Sequence, residues 1–206
     1  MSAKSKYLKV ALQAAKKAEA ILLKYQRGKL EAKRKQDQTP VTIADTEAEK
    51  AIKATIQKSF PSHDILGEEF GGKMTPSKYH WVIDPIDGTK NYLRGLPMFA
   101  TQIALVKNGK IILGVSNAPA LGELIYAEKG CGVYCNGTRI RVSRVRKLDN
   151  AYLSFGGIKH FGRLRLTSAL LKLANKVQGY RSFGDFWQYH LFAQGKIDIV
   201  AEADLQ

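Results

Sequence analysis

Two acidic clusters stand where apolar runs end, and both carry the oxygen donors that hard cations prefer. The first is Gly67-Glu68-Glu69-Phe70, and the second is Trp81-Val82-Ile83-Asp84-Pro85-Ile86-Asp87-Gly88-Thr89. A carboxylate just past a buried strand is costly unless something cationic joins it. Several oxygen ligands together suit Mg²⁺. Pro85 and Gly88 predict a tight turn that brings Asp84 and Asp87 to one point, with the Ile86 carbonyl between them as a third possible ligand. The amides of Gly88 and Thr89 then open a short helix through Asn91 and Tyr92. A helix N-terminus beside a divalent cation is a seat for phosphate. Metal, phosphate seat and the Thr89 hydroxyl together suggest metal-assisted hydrolysis of a phosphate ester. Taken singly, Glu68-Glu69 also reads as a solvated loop and Asp84-Pro85 as a turn. Their joint occurrence favours the metal site.

The elements that must position these residues are legible in outline. Leu8, Leu12, Ala15, Ala18, Leu22 and Tyr25 recur at helical spacing and predict an amphipathic helix over residues 4–27, stopped by Gly28. A polar segment runs to Pro40. Thr42, with Asp45 three residues on, caps a second helix whose inward face is Ala48, Ile52, Thr55 and Ile56 and which Pro61 ends. Short strands follow at Asp64–Leu66 and Trp81–Ile83. Strands at Thr101–Val106 and Lys110–Ser116 flank Asn108-Gly109, and those at Leu124–Ala127 and Val133–Cys135 precede Asn136-Gly137; both dipeptides signal hairpin turns. The middle of the chain therefore reads as largely antiparallel sheet. Beyond it come a strand at Tyr152–Phe155, a helix at Arg163–Asn175, a helix at Asp185–Gln194 stopped by Gly195, and a strand at Ile197–Ala201. The basic stretch Arg144–Lys147 suggests a division into 1–147 and 148–206.

Bulk properties narrow the class. The 206 residues are 45% hydrophobic, with room for one large domain or two halves sharing a core. No apolar run reaches the roughly 18 residues that span a bilayer. Lys4 and Lys6 are not followed by an uninterrupted apolar stretch, so the start does not read as a secretory signal and a cytoplasmic location is expected. Cys131 and Cys135 make neither a disulfide framework nor, without nearby His or Cys, a zinc site. The net charge is +15, from 33 Lys and Arg against 18 Asp and Glu. Such an excess could serve nucleic acid, but the basic residues are dispersed and lack interleaved aromatics. A non-catalytic nucleic-acid-binding protein is the rival reading, and the carboxylate clusters argue against it.

Gly67-Glu68-Glu69 followed by Asp84-Pro85-Ile86-Asp87-Gly88-Thr89 resembles the signature of the inositol monophosphatase family. Thr42-Ile43-Ala44-Asp45, Val133-Tyr134-Cys135-Asn136-Gly137, Gly184-Asp185-Phe186 and Glu202 extend the resemblance over nearly the whole chain. Leu93-Arg94-Gly95-Leu96-Pro97, Asn117-Ala118-Pro119-Ala120 and Asp185 are most like its histidinol-phosphate phosphatase branch, where an acidic Asp185 would suit a cationic aminoalcohol; Asp185 also reads as the cap of the helix it begins.

The resemblance implies an α+β to α/β layered sugar-phosphatase fold (αβαβα). It also implies two or three Mg²⁺ ions, replaceable by Mn²⁺. Glu68, Asp84 and the Ile86 carbonyl would hold the first, and Asp84 and Asp87 the second. A third, weaker ion would lie near Glu68, with Asp45 in its outer shell. Glu68, Thr89 and Asp45 would activate the attacking water. Asp87, Gly88, Thr89, Asp185 and Glu202 would contact substrate. Histidinol phosphate is the first substrate implied, then inositol 1-phosphate, then a nucleotide 3′-phosphate. A homodimer without membrane attachment is implied as well. The family's Trp-Asp pair, which completes the second metal site, would fall past Gln206, so a C-terminal truncation is expected.

Overall fold

The computed structural model describes residues 4–26, 32–34, 40–72, 75 and 77–203. The chain separates into two compact units, Met1–Thr138 and Arg139–Gln206.

The first unit opens with helix α1 (Lys6–Gln26). Its inner face carries Ala11, Ala14, Ala15 and Ala18, all fully buried, between Leu8 and Leu22. Small side chains let α1 lie close against the later helix α2. Gly28, the expected stop, lies outside the described residues. The polar segment contains an unforeseen antiparallel pair, β1 (Ala32–Arg34) and β2 (Pro40–Thr42), in register Ala32↔Thr42. It rests on backbone pairing rather than on apolar alternation, so hydropathy does not reveal it.

Helix α2 (Ile43–Ser59) starts in a capping box: the Thr42 hydroxyl accepts from the Ala44 and Asp45 amides, and the Asp45 carboxylate accepts from the Thr42 amide. A seven-stranded sheet follows: β3 (Asp64–Gly67), β4 (Tyr79–Asp87), β5 (Ala100–Lys107), β6 (Lys110–Ala118), β7 (Glu123–Glu128), β8 (Gly132–Cys135) and β9 (Thr138–Ile140), hydrogen-bonded in that order. A short helix, α3 (Thr89–Leu93), lies between β4 and β5. The buried Tyr92 of α3 donates its hydroxyl to the Leu22 carbonyl at 2.7 Å, tying α3 to α1. The pairs from β4 to β8 are antiparallel, and the Asn108-Gly109 and Asn136-Gly137 turns stand where expected. The first pair departs from that pattern: β3 runs parallel to β4.

One end of this core is a stack of rings. His63 lies 4.8 Å from Phe60 and 4.5 Å from Tyr79, almost parallel to both, with Tyr7 against the same group. The fully buried Trp81 donates its indole N–H to His63 Nδ1 at 3.0 Å. That nitrogen must therefore be unprotonated, and burial holds the His63 pKa below its ordinary value. The sign follows. Stability tied to His63 is complete above its unfolded pKa of about 6.5 and is lost as pH falls below it, because the unfolded chain takes the proton more readily. We expect Tm to fall between pH 7 and 5.5. His63→Phe should flatten that slope while costing about 1–3 kcal/mol at pH 8 through the orphaned indole N–H. A thermal melt series over pH reads both effects, and an unchanged slope in the variant would exclude His63 as the titrating group.

The second unit is a parallel sheet in the order β11-β10-β12, formed by β10 (Tyr152–Phe155), β11 (Gly179–Arg181) and β12 (Ile199–Ala201). Its core gathers Leu153, Phe161, Leu170, Ala174 and Ala203. The helix expected at 163–175 starts later, as α5 (Thr167–Ala174), and an unforeseen short helix, α4 (Ile158–Arg163), precedes it. Arg165, at φ 58°, breaks the helical path between them, and the Leu166 amide turns back to the Phe161 carbonyl at 2.7 Å. Helix α6 (Asp185–Ala193) begins where expected. The division after Thr138 falls earlier than the basic stretch suggests. From Arg141 the chain packs within the second unit: Ser143 donates its hydroxyl to Asp198, and the Arg141–Ser143 backbone lies against Gly195. Among the described residues no helix is long and apolar enough to cross a membrane.

Candidate metal centre

The parallel pairing of β3 and β4 does the first positioning step. Gly67 stands opposite Ile83, and the Glu68 amide bonds to the Ile83 carbonyl at 3.1 Å. β3 thus ends alongside the middle of β4, and Glu68 emerges beside Asp84. The tight turn expected at Pro85 is not formed. Instead β4 continues to Asp87 through an irregularity in its pairing with β5, between Asp84↔Gln102 and Asp87↔Ala100. A bulge of this kind re-aims side chains without ending the strand. The Asp84 carboxylate accepts the Ile86 amide at 2.9 Å, Thr101 donates its hydroxyl to the Pro85 carbonyl at 2.9 Å, and the Gln102 amide donates to Asp87 at 3.2 Å. The Thr89 hydroxyl donates to the Ile86 carbonyl at 2.9 Å, so the third oxygen of the set is already oriented by Thr89. Gly88 joins β4 to α3 at φ 92°.

Electrostatics link the carboxylates. The Asp84 carboxyl is pushed up to about 9, first by burial and then by the charges of Glu68 and Asp87, with a hydrogen bond that protonated Asp84 donates to Glu68 acting the same way. Asp45 is almost fully buried. Its pKa is raised by burial, opposed by its bonds to Thr42, and raised further by the Glu68 charge. Asp45 therefore does two jobs in one place, closing the α2 cap and standing within electrostatic reach of Glu68. The described residues hold no closed cage of three or more His, Cys, Asp and Glu groups. What they hold is a set of carboxylates linked pairwise through Asp84. A carboxyl displaced so far by desolvation and by its neighbours' charges is costly as an anion, and a divalent cation relieves that cost directly. Oxygen-only donors match Mg²⁺ or Mn²⁺ and not the softer metals. The residues present fit the ion.

Asp185 and Glu202 belong to the second unit. Asp185 is the first residue of α6 and has φ 43°, a left-handed conformation that Asp tolerates better than most residues. The cap position falls to Gly184, with no side-chain cap bond, so Asp185 is not the cap of its helix. Glu202 accepts from the amide of Gln188, whose own carbonyl accepts the Ser154 hydroxyl at 2.9 Å; Ser154 and Gln188 are fully buried. Cys131 and Cys135 are not joined in a disulfide.

Glu49 escapes the sequence reading. It is fully buried on α2, and its carboxylate accepts the amides of Glu69 at 2.7 Å and Phe70 at 3.2 Å. Asp45, Glu49 and Lys53 follow one another at four-residue spacing, a polar stripe along one face of α2. That spacing was the available signal, hidden among Ala48, Ile52 and Ile56.

With the geometry in view, comparison with known proteins is decisive on class. Residues 3–206 match the model of the inositol monophosphatase family, and the chain belongs to that family. A histidinol-phosphatase of Mycobacterium tuberculosis is 40% identical over 173 residues, covering 82% of this chain and 66% of its own length. An inositol-1-monophosphatase of Mesorhizobium japonicum is 38% identical over 148 residues, covering 70% of this chain and 55% of its own. This chain thus spans about two thirds or less of those relatives. Among solved structures, the extragenic suppressor protein suhB of Bartonella henselae superimposes with a TM-score of 0.89 at 34% identity, covering 98% of this chain and 80% of that one. The fold is the layered α/β arrangement of the family.

Proposed function

We propose that the protein is a Mg²⁺-dependent phosphomonoesterase whose substrate is histidinol phosphate. The observation that carries the metal half of this reading is Asp84, a half-buried residue whose carboxyl is pushed up by desolvation and by the charges of Glu68 and Asp87. Glu68, Asp84 and the Ile86 carbonyl would hold one ion, and Asp84 with Asp87 a second; Mn²⁺ would substitute. Bound there, the ions supply Lewis-acid charge to the phosphoryl group and leaving oxygen. The chain's own groups do the rest. Thr89, its hydroxyl resting on the Ile86 carbonyl, orients the attacking water. Glu68, with Asp45 behind it, takes the water's proton. The Gly88 and Thr89 amides hold phosphate oxygens, and Gln102 keeps Asp87 in place. A cytoplasmic homodimer is part of the same proposal.

The substrate half rests on the histidinol-phosphatase names among the relatives and on Asp185, an acidic group suited to a cationic amine. Inositol 1-phosphate is the second reading, supported by relatives named for it. Phosphate release from the two esters at saturating Mg²⁺ separates them: histidinol phosphate should turn over faster. Asp185→Asn should raise KM for histidinol phosphate by about 10- to 150-fold, the equivalent of roughly 1.5–3 kcal/mol for a charged contact, and change KM for inositol 1-phosphate far less. Asn accepts the same backbone conformation, so the start of α6 is preserved. Equal losses on both esters would assign Asp185 to local structure alone.

A further inference from the structure

Five consecutive residues carry the loop on which Glu68 sits, and one helix holds four of them. The Glu49 carboxylate takes the amides of Glu69 and Phe70. Lys53 stands 2.8 Å from Glu49 Oε1 and donates to the Gly71 carbonyl at 3.0 Å. The ammonium groups of Lys50 and Lys53 each lie 5.4 Å from the centre of the Phe70 ring. Gly67 faces Glu49 so closely that a β-carbon there would come within 1.8 Å of Oε1. The remaining residue, Glu68, is turned the other way: its amide bonds to Ile83 in β4 and its carboxyl meets Asp84.

A fully buried carboxylate is an expensive way to tie down a loop. A neutral hydroxyl or amide could take one or two backbone amides at far lower cost. What the charged pair adds is rigidity. Two amides accepted by one carboxylate, with a lysine bridging that carboxylate to the next carbonyl, leave the loop a single register. The same helix carries Asp45 one turn before Glu49, so α2 sets the spacing between Asp45 and Glu68 from one rigid element.

We propose that Glu49, braced by Lys53, is a positioning residue that fixes Glu68 at the metal site and thereby sets metal affinity. The Glu49 carboxylate is engaged by the Glu69 and Phe70 amides and by Lys53, which leaves it outside the proposed ligand set. This rests on the metal-site reading above and extends it to a residue outside the ligand set. Groups that orient metal ligands are typically worth about 10- to 100-fold in affinity.

The test is Mn²⁺ binding to the full chain, read by the loss of the free-ion electron paramagnetic resonance signal, well below the unfolding midpoint. Glu49→Gln should weaken Mn²⁺ binding by about 10-fold or more. Lys53→Met should weaken it in the same direction by a smaller factor. Ile52→Val trims the core of the same helix and is the control; it should lower Tm and leave Mn²⁺ affinity unchanged. If Glu49→Gln lowers Tm yet binds Mn²⁺ like the parent, the residue is structural and the proposal fails. Should Glu49→Gln not fold, Lys53→Met decides, and parental affinity in that variant also overturns it. A parent chain that binds no Mn²⁺ would sink the metal-site reading itself, a result distinguishable from the other two.

Discussion

Asp84→Asn and Asp87→Asn should each lower phosphate release by two or more powers of ten at saturating Mg²⁺, and EDTA should abolish it in the parent. Each substitution keeps the volume and removes a carboxylate from the proposed metal site, so the expected loss is chemical rather than structural. Asp84 should show the larger effect, since its contacts reach both Glu68 and Asp87. A second measurement separates chemistry from folding. Burial and the Glu68 and Asp87 charges push the Asp84 carboxyl up to about 9, so at neutral pH the metal-free parent must hold a proton there at a cost in stability, and the Asn variant should melt at a higher temperature. With metal the order should reverse, because only the parent gains stability from Mg²⁺ in proportion to its binding. Full activity in EDTA, or a Mg²⁺-induced rise in Tm that survives Asp84→Asn, would remove Asp84 from the metal site. Activity lost together with a lowered metal-free Tm would instead point to a folding defect.

Gly88→Ala is expected to have the largest effect on stability, about 2–4 kcal/mol, with a fall in Tm on the order of 5–15 °C. Two costs add at this position. The backbone is at φ 92°, where an L side chain is strained, and a β-carbon would stand 2.6 Å from the Met98 carbonyl oxygen. That oxygen belongs to backbone just before β5 and cannot swing away as a side chain could. Gly109→Ala provides the comparison, because its φ is 73° and a β-carbon there would meet nothing within 4 Å. It carries the strain without the collision and should cost about 1 kcal/mol. Gly88→Ala should also reduce turnover, since Thr89 follows directly and its hydroxyl must stay on the Ile86 carbonyl. Equal melting shifts for the two variants would show that the approach to Met98 is not what demands glycine.

Much of the outline is written locally. The capping box of α2 is set by Thr42 and Asp45, three residues apart, and formed as expected. The Asn108-Gly109 and Asn136-Gly137 turns and the strand Tyr152–Phe155 need no distant partner to be recognised. The carboxylates Glu68, Asp84 and Asp87 stand out because acidic groups ending apolar runs are rare and costly. Such signals survive in one dimension because cap, turn and strand preferences depend on immediate neighbours.

What makes those residues a site is decided elsewhere. Hydropathy does not say whether Asp64–Gly67 runs parallel or antiparallel to β4, yet only the parallel pairing places Glu68 beside Asp84. Pro85 and Gly88 read as a turn, but pairing with β5 carries the strand on to Asp87, and the Thr101 hydroxyl holds the Pro85 carbonyl across the bulge. The break between α4 and α5 at Arg165 leaves no mark in helical periodicity. Glu49 reads as one more solvated helix charge until the fold brings the amides of Glu69 and Phe70, twenty residues away, against it. In each case the deciding free energy comes from groups distant in the chain, whose burial and hydrogen bonding outweigh local preference once the core has formed.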